Sequence, residues 1–258
     1  INMSYSLWSV NAYANTIRER LQTAEVDEGT KNTCIGECLV WKAMAYFYLV
    51  RTFGAVPIVH SNSEEIEADN YNEKYKVQVP DVYEYIIMTL EKAIELLPAT
   101  NSEGRIDQYT AKGLLAKVYL TKSGYGMSGS RDEEDLKQAA AYAKDVIDNS
   151  GRHLLENYSD VFRLSNNFNE ECLLSWHWSA SSDVYTCQNA LQSSLAITGF
   201  DEFGDCWGGY NGPSVDLQDA FGENALSPTR YNGDARRKAT MMMCGDTYDY
   251  FWQDKGGF

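Results

Sequence analysis

The chain has no run of 18 apolar residues, so no segment reads as a membrane-spanning helix. It has no C-x-x-C pair, and its three histidines (His60, His153, His177) are scattered, which argues against a zinc site. The six cysteines read instead as small hydrophobes. There is no P-loop, no H-E-x-x-H helix and no Ser-His-Asp arrangement, which removes the motif-borne routes to nucleotide, metalloprotease and triad chemistry. Positive charge is scarce: 22 Lys plus Arg stand against 37 Asp plus Glu, a net charge of −15. Such a field repels phosphate backbones and anionic headgroups, so neither nucleic acid nor a bare membrane surface is expected as a partner. The chain opens without Met or signal peptide and stops at Lys255-Gly256-Gly257-Phe258 without a closing element, so it reads as trimmed.

What the chain does have is a core helix with a hard stop. Ala43 to Phe53 is apolar almost all the way round, the mark of a helix buried on every side. Gly54 suits the left-handed residue that closes a helix, Pro57 forbids resumption, and Val56 before it is pushed to extended backbone. Arg51 is expected to anchor this turn.

The helical pattern is two-fold. Ile86, Leu90, Ala93 and Pro98 fall at steps of four, three and five, and Ala139, Ala143, Val146 and Gly151 repeat those steps. The partner helices each carry Ala three residues before Tyr, at Ala43/Tyr46 and Ala116/Tyr119. Small residues at a crossing allow close approach, and the Tyr fills the groove beside them, as in a tetratricopeptide unit. Pro80 and Asp81 suit a helix start, as does the capping box Ser130-x-x-Glu133, and Asn149-Ser150-Gly151 suits an end. The acidic run 132–135 is expected to be a solvated cap.

After residue 152 helical periodicity fades and Gly, Asn, Ser and aromatics rise. Leu173 to Trp178 reads as a short strand or extended segment, with Trp176 and Trp178 on alternate faces, and Val215 to Phe221 as a short helix. Gly199 to Ser214 is a long Gly-rich loop carrying Phe200, Phe203, Trp207 and Tyr210. A loop of that length and composition in a compact protein is usually functional.

Two chemistries are open to that loop. Asp201, Glu202 and Asp205 beside Trp207 could act as the paired carboxylates of a glycosidase, or hold calcium through clustered oxygens. Sugar binding needs less: pyranose C–H faces stack on aromatic rings while Asn and Asp take the hydroxyls. Trp207 and Tyr210, with Asp205 and Asn211 beside them, are the leading candidates, then Trp178, then Trp8 and Asn11 on the first helix. Gly124-Tyr125-Gly126-Met127-Ser128-Gly129 fits G-x-G-x-x-G but follows a helix rather than a strand, so it is read as loop glycines.

The string Lys42 to Val59, "KAMAYFYLVRTFGAVPIV", resembles the pattern of the SusD/RagB family, surface glycan-binding lipoproteins of Bacteroidota. Trp8–Ile17, Asp81–Pro98 and Thr110–Leu120 are similar to further helices of that family. Val215–Phe221 with Asp234-Ala235-Arg236 is similar to a later region. The resemblance implies a mostly α fold of tetratricopeptide-like hairpins forming a superhelical frame over residues 1–151, with a loop-rich, aromatic-rich segment over 152–258 packed on it. It implies non-catalytic capture of oligosaccharide or polysaccharide at the outer membrane, delivery to a SusC-like TonB-dependent transporter, and attachment only through a lipid anchor absent from this chain. No cofactor is implied, with calcium the one ion the loop carboxylates could take. Family members use an aromatic near the early helix, which is why Trp8 is carried as a site residue. The family usually continues into a further helical region, so the chain reads as a fragment or a short member. The rivals are a helical-scaffold glycoside hydrolase and a tetratricopeptide-type protein-interaction scaffold that binds no sugar.

Overall fold

The computed structural model describes residues 2–69, 74–177, 211–222, 234–243 and 246–248. Its helices are α1 (Asn2–Thr23), α2 (Glu28–Phe53), α3 (Asn62–Glu67), α4 (Val79–Leu96), α5 (Gln108–Lys122), α6 (Glu133–Asn149), α7 (Val215–Ala220) and α8 (Ala235–Thr240), with 3₁₀ turns at Tyr158–Phe162 and Leu164–Asn166. Among the described residues there is no strand, only one antiparallel bridge between Val56 and Val77. The fold is mostly α, with consecutive helices paired as tetratricopeptide-like hairpins. The chain divides into two compact units, residues 1–153 with 172–174, and residues 154–171 with 175–258.

In the first unit α2 is the central element. Asp27 caps it by accepting the Thr30 N–H at 2.9 Å. From Gly36 to Val50 it is buried on several faces, against α1, α4 and α5. By length and apolarity alone α2 could cross a membrane, but here it is a core helix. It stops at Gly54 as the sequence suggests, though not in the left-handed helical region: the Gly54 N–H returns to Val50 O at 2.9 Å, with φ 73° and ψ −127°, a region open mainly to glycine. Val56 then receives the Val77 N–H at 2.9 Å. Arg51 does not anchor that turn. Its guanidinium lies over the Phe47 ring, 4.9 Å from the centroid, because the glycine closes the helix without help.

The repeat positions pack as expected in the first hairpin and more loosely in the second. Ile86, Leu90 and Ala93 are fully buried, as are Ala43 and Tyr46. Ala139 and Ala116 are buried, while Ala143, Val146 and Tyr119 are partly exposed. Tyr119 stacks on Tyr142 at 6.0 Å and 12°. Where α2 passes α4, Gly36 permits the approach: a Cβ there would stand 2.7 Å from Leu97 Cγ.

Two details of α6 differ from expectation. Its cap is Asp132, which accepts the Asp135 N–H at 2.9 Å, rather than Ser130. Asp caps as well as Ser, and the Asp132 N–H is itself tied to Ser123 O at 2.8 Å, which fixes where the helix starts. The acidic run is not wholly solvated either: Asp135 is buried and accepts both of its bonds from Lys122 Nζ, at 2.7 and 2.9 Å. The α5 cap is Asp107, which accepts from Thr110 N at 2.9 Å and from Arg152 Nη2 at 2.6 Å. Leu173 forms no strand; its carbonyl accepts from Thr110 Oγ1 at 2.5 Å.

In the second unit α8 packs against the 3₁₀ turn Tyr158–Phe162. Arg237, 2% exposed, forks onto Asp246, with Nη2 to Oδ1 at 2.8 Å and the second contact through Nη1 and Oδ2. Residues 175–177 carry no regular structure, and Trp176 is exposed.

Candidate functional site

Of the residues singled out for sugar binding, Trp178, Asp205, Trp207 and Tyr210 lie outside the described residues, as do Asp201 and Glu202 of the glycosidase alternative. Asn211 is described and exposed, four residues before α7. Trp8 and Asn11 come together on the face of α1 turned to α2. Trp8 meets Tyr46 edge-on, with centroids 6.0 Å apart at 89°. Asn11 is 1% exposed and donates through Nδ2 to Val59 O at 3.4 Å, so its polar group faces the interior of the first unit.

Around these two residues the structure assembles a polar cluster that spacing alone did not reveal. Asn15, one helical turn after Asn11, donates through Nδ2 to Val59 O at 3.2 Å and to Asn62 Oδ1 at 2.8 Å. Its Oδ1 accepts from Lys42 Nζ at 2.6 Å. Lys42 also reaches His60 O at 3.3 Å and stands 5.6 Å from the Tyr85 ring centroid. The Val59 N–H donates to Tyr46 Oη at 2.8 Å. Glu19 accepts from Ser61 Oγ at 2.6 Å and Ser63 Oγ at 2.8 Å.

The electrostatics follow from burial. Desolvation pushes the Lys42 amine down to about 7, with Arg18 acting in the same direction and Glu19 opposing. It lowers His60, again with Lys42 and Arg18 adding to it, and raises Tyr85 to about 12. The two serine hydroxyls hold Glu19 below its usual value. A lysine near neutrality has the proton affinity of a general base, but Lys42 is 1% exposed and offers no approach to a substrate. The cluster's task is to fasten residues 59–62 onto α1 and α2. The signal in the sequence was Asn11 and Asn15 on one helix face.

A concavity of about 650 Å³ opens between the C-terminal ends of α2 and α5 and the first turn of α4. Arg51, Tyr83, Thr121, Tyr125 and Arg131 line it, with no Asp or Glu among the described residues of its walls. Gly124 and Tyr125 belong to the loop glycine segment of the G-x-G-x-x-G match, which turns here rather than opening a nucleotide-binding helix. Among the described residues no cluster of His, Cys, Asp and Glu could hold a metal ion.

Residues 4–120 match the SusD-like family model described as starch-binding, associating with the outer membrane. A SusD-like protein of Bacteroides ovatus is 36% identical over 97% of this chain, which spans 44% of that relative's length. A SusD-like protein of Formosa agariphila is 34% identical over 49% of the chain and 23% of its own length. A crystal structure with xylogluco-oligosaccharide superposes with a TM-score of 0.82 at 33% identity, covering 99% of this chain and 49% of that one. A laminarin-binding SusD-like protein superposes with a TM-score of 0.57 at 29% identity, over 65% of this chain and 35% of its own. With the helical frame and its motifs in the same order, this chain belongs to the SusD-like family.

Proposed function

We propose that the protein binds oligosaccharide or polysaccharide without cleaving it and passes it to a SusC-like TonB-dependent transporter at the outer membrane. The observation that carries the binding half is the similar structure with xylogluco-oligosaccharide, which covers nearly all of this chain. The family model's association with the outer membrane supports the location. In this reading a lipid anchor holds the protein at the cell surface. Trp207 and Tyr210 supply the stacking platform, Asp205 and Asn211 the hydrogen bonds, and Trp178 a further ring. Trp8 and Asn11 contribute by holding α1 in the helical frame. No cofactor is required, and calcium at the loop carboxylates would serve to order the loop.

Stacking on exposed rings is worth about 1–3 kcal/mol each if sugars behave as other rings do, so affinities in the micromolar to millimolar range are expected. Calorimetry with xylogluco-oligosaccharides, laminarin oligosaccharides and an unrelated glycan panel tests this. Saturable binding that is lost in Trp207→Ala, with no release of reducing ends, supports the reading. A folded protein that binds no glycan in the panel defeats it, and turnover lost in Glu202→Gln would establish the glycosidase instead.

A further inference from the structure

We propose that the pocket between the ends of α2 and α5 binds the carboxylate of an acidic sugar, a uronate. The sugar half of this rests on the carbohydrate-binding reading above, whereas the carboxylate half stands on the arginines.

In a chain of net charge −15, a concavity walled, among the described residues, by two arginines and no acid is a local exception. Neither guanidinium forms an ion pair among the described residues, although acids outnumber bases 37 to 22 over the whole chain. Arg51 lays its face on the Phe47 ring, which leaves its edge donors open; burial raises the neighbouring Tyr83 phenol, and the Arg51 charge opposes that rise. Arg131 donates from Nη1 to Leu120 O at 3.0 Å and to Ser123 Oγ at 3.3 Å. Those bonds aim the guanidinium and leave its remaining N–H groups uncommitted. A guanidinium offers a planar fork that fits a carboxylate, which an ammonium does not.

The rest of the wall suits a ring. Tyr125 is 51% exposed and stands 6.3 Å from Tyr83, tilted at 47°. The buried Tyr83 fixes one side, and the Tyr125 face is left for a pyranose. The volume, about 650 Å³, lies within the range that takes a small ligand. An arginine near a helix C-terminus also offsets the dipole there, and both arginines do so. That role needs neither the pocket nor its lack of acids.

The test is an amide NMR titration of the whole chain with digalacturonate, its neutral methyl ester and a xylogluco-oligosaccharide. Digalacturonate is expected to shift the amides of Gly54, Gly124 and Tyr125, saturably and less at high salt. The ester should shift them little, and Arg51→Gln should weaken the acid about tenfold. Arg131→Gln should do the same, but it also removes a helix-end bond, so Arg51→Gln, checked by circular dichroism, decides. Equal binding of acid and ester, no shift at these amides, an unaffected Arg51→Gln, or an acidic peptide that binds where the sugar acid does not would overturn the proposal. Xylogluco-oligosaccharide binding elsewhere with no uronate effect would overturn this site alone. A uronate effect without any neutral-glycan binding would count only against the earlier reading.

Discussion

Lys42 Nζ lies 2.6 Å from Asn15 Oδ1, inside the first unit, with a carbonyl and an aromatic ring rather than a carboxylate as its other neighbours. Burial has drawn its proton affinity down to about 7. The folded chain therefore releases this proton before the unfolded chain does at about 10.4. The unfolded state binds more protons in that window, so stability rises with pH across it, and the penalty of the buried charge is full below it. Denaturant melts of wild type and Lys42→Met should diverge in wild type's favour between about pH 7 and pH 10, by up to about 1.4 kcal/mol per pH unit. A difference that stays flat with pH would show that Lys42 keeps its proton in the fold.

Gly36 and Gly54 should fail for different reasons when replaced by alanine. At Gly36 the new Cβ would meet Leu97 Cγ at 2.7 Å and Cδ2 at 2.9 Å, and Leu97 is itself 4% exposed. Overpacking of about 1–3 kcal/mol, less the helix gain of about 1, leaves a net loss of up to about 2 kcal/mol. Pairing Gly36→Ala with Leu97→Ala should be less than additive in thermal melts. At Gly54 nothing lies within 4 Å, so the loss of about 1–3 kcal/mol is conformational and no neighbouring substitution should relieve it.

Asp246 and Arg237 form a buried pair, and Asp246 also accepts the Met243 N–H at 2.8 Å. Asp246→Ala leaves a guanidinium in the interior and should cost about 3–5 kcal/mol. The double variant Arg237→Met with Asp246→Leu should recover much of that loss. Equal destabilisation by the single and double changes would mean that packing, not charge, dominates there.

Asp107 separates two roles in one side chain. Asp107→Asn keeps an oxygen to cap α5 and gives up the ion pair with Arg152, 2.6 Å away. Asp107→Ala gives up both, and losing the cap adds about 1 kcal/mol. Melting temperatures should fall in the order wild type, Asn, Ala; a tie between the two variants would remove the cap from the account.

What could be read in the chain was whatever depends on near neighbours. The apolar wrap of α2, its stop at Gly54 and Pro57, the proline start of α4 and the buried steps at Ile86, Leu90 and Ala93 are all local. Asp132 won over Ser130 once its N–H was held by Ser123, and Arg51 turned to Phe47, one helical turn back, rather than to the glycine stop. The interior lysine was not legible, because its compensation comes from Asn15 and from the backbone of His60. The leading sugar candidates, Trp207 and Tyr210, fall outside the described residues, and their roles stand as proposals. Asn11 and Trp8 sit where α1 meets α2, among partners that only the fold brings near.

The tie from Val77 to Val56 pins both ends of the excursion that leaves α2 and enters α4. With its feet pinned and residues 59–62 held to α1 and α2, the remainder of that stretch can grow or shrink at a cost that rises only slowly with length. The frame is thereby insulated from drift in its own decorations, and a lineage can rewrite what projects there while inheriting the helices untouched.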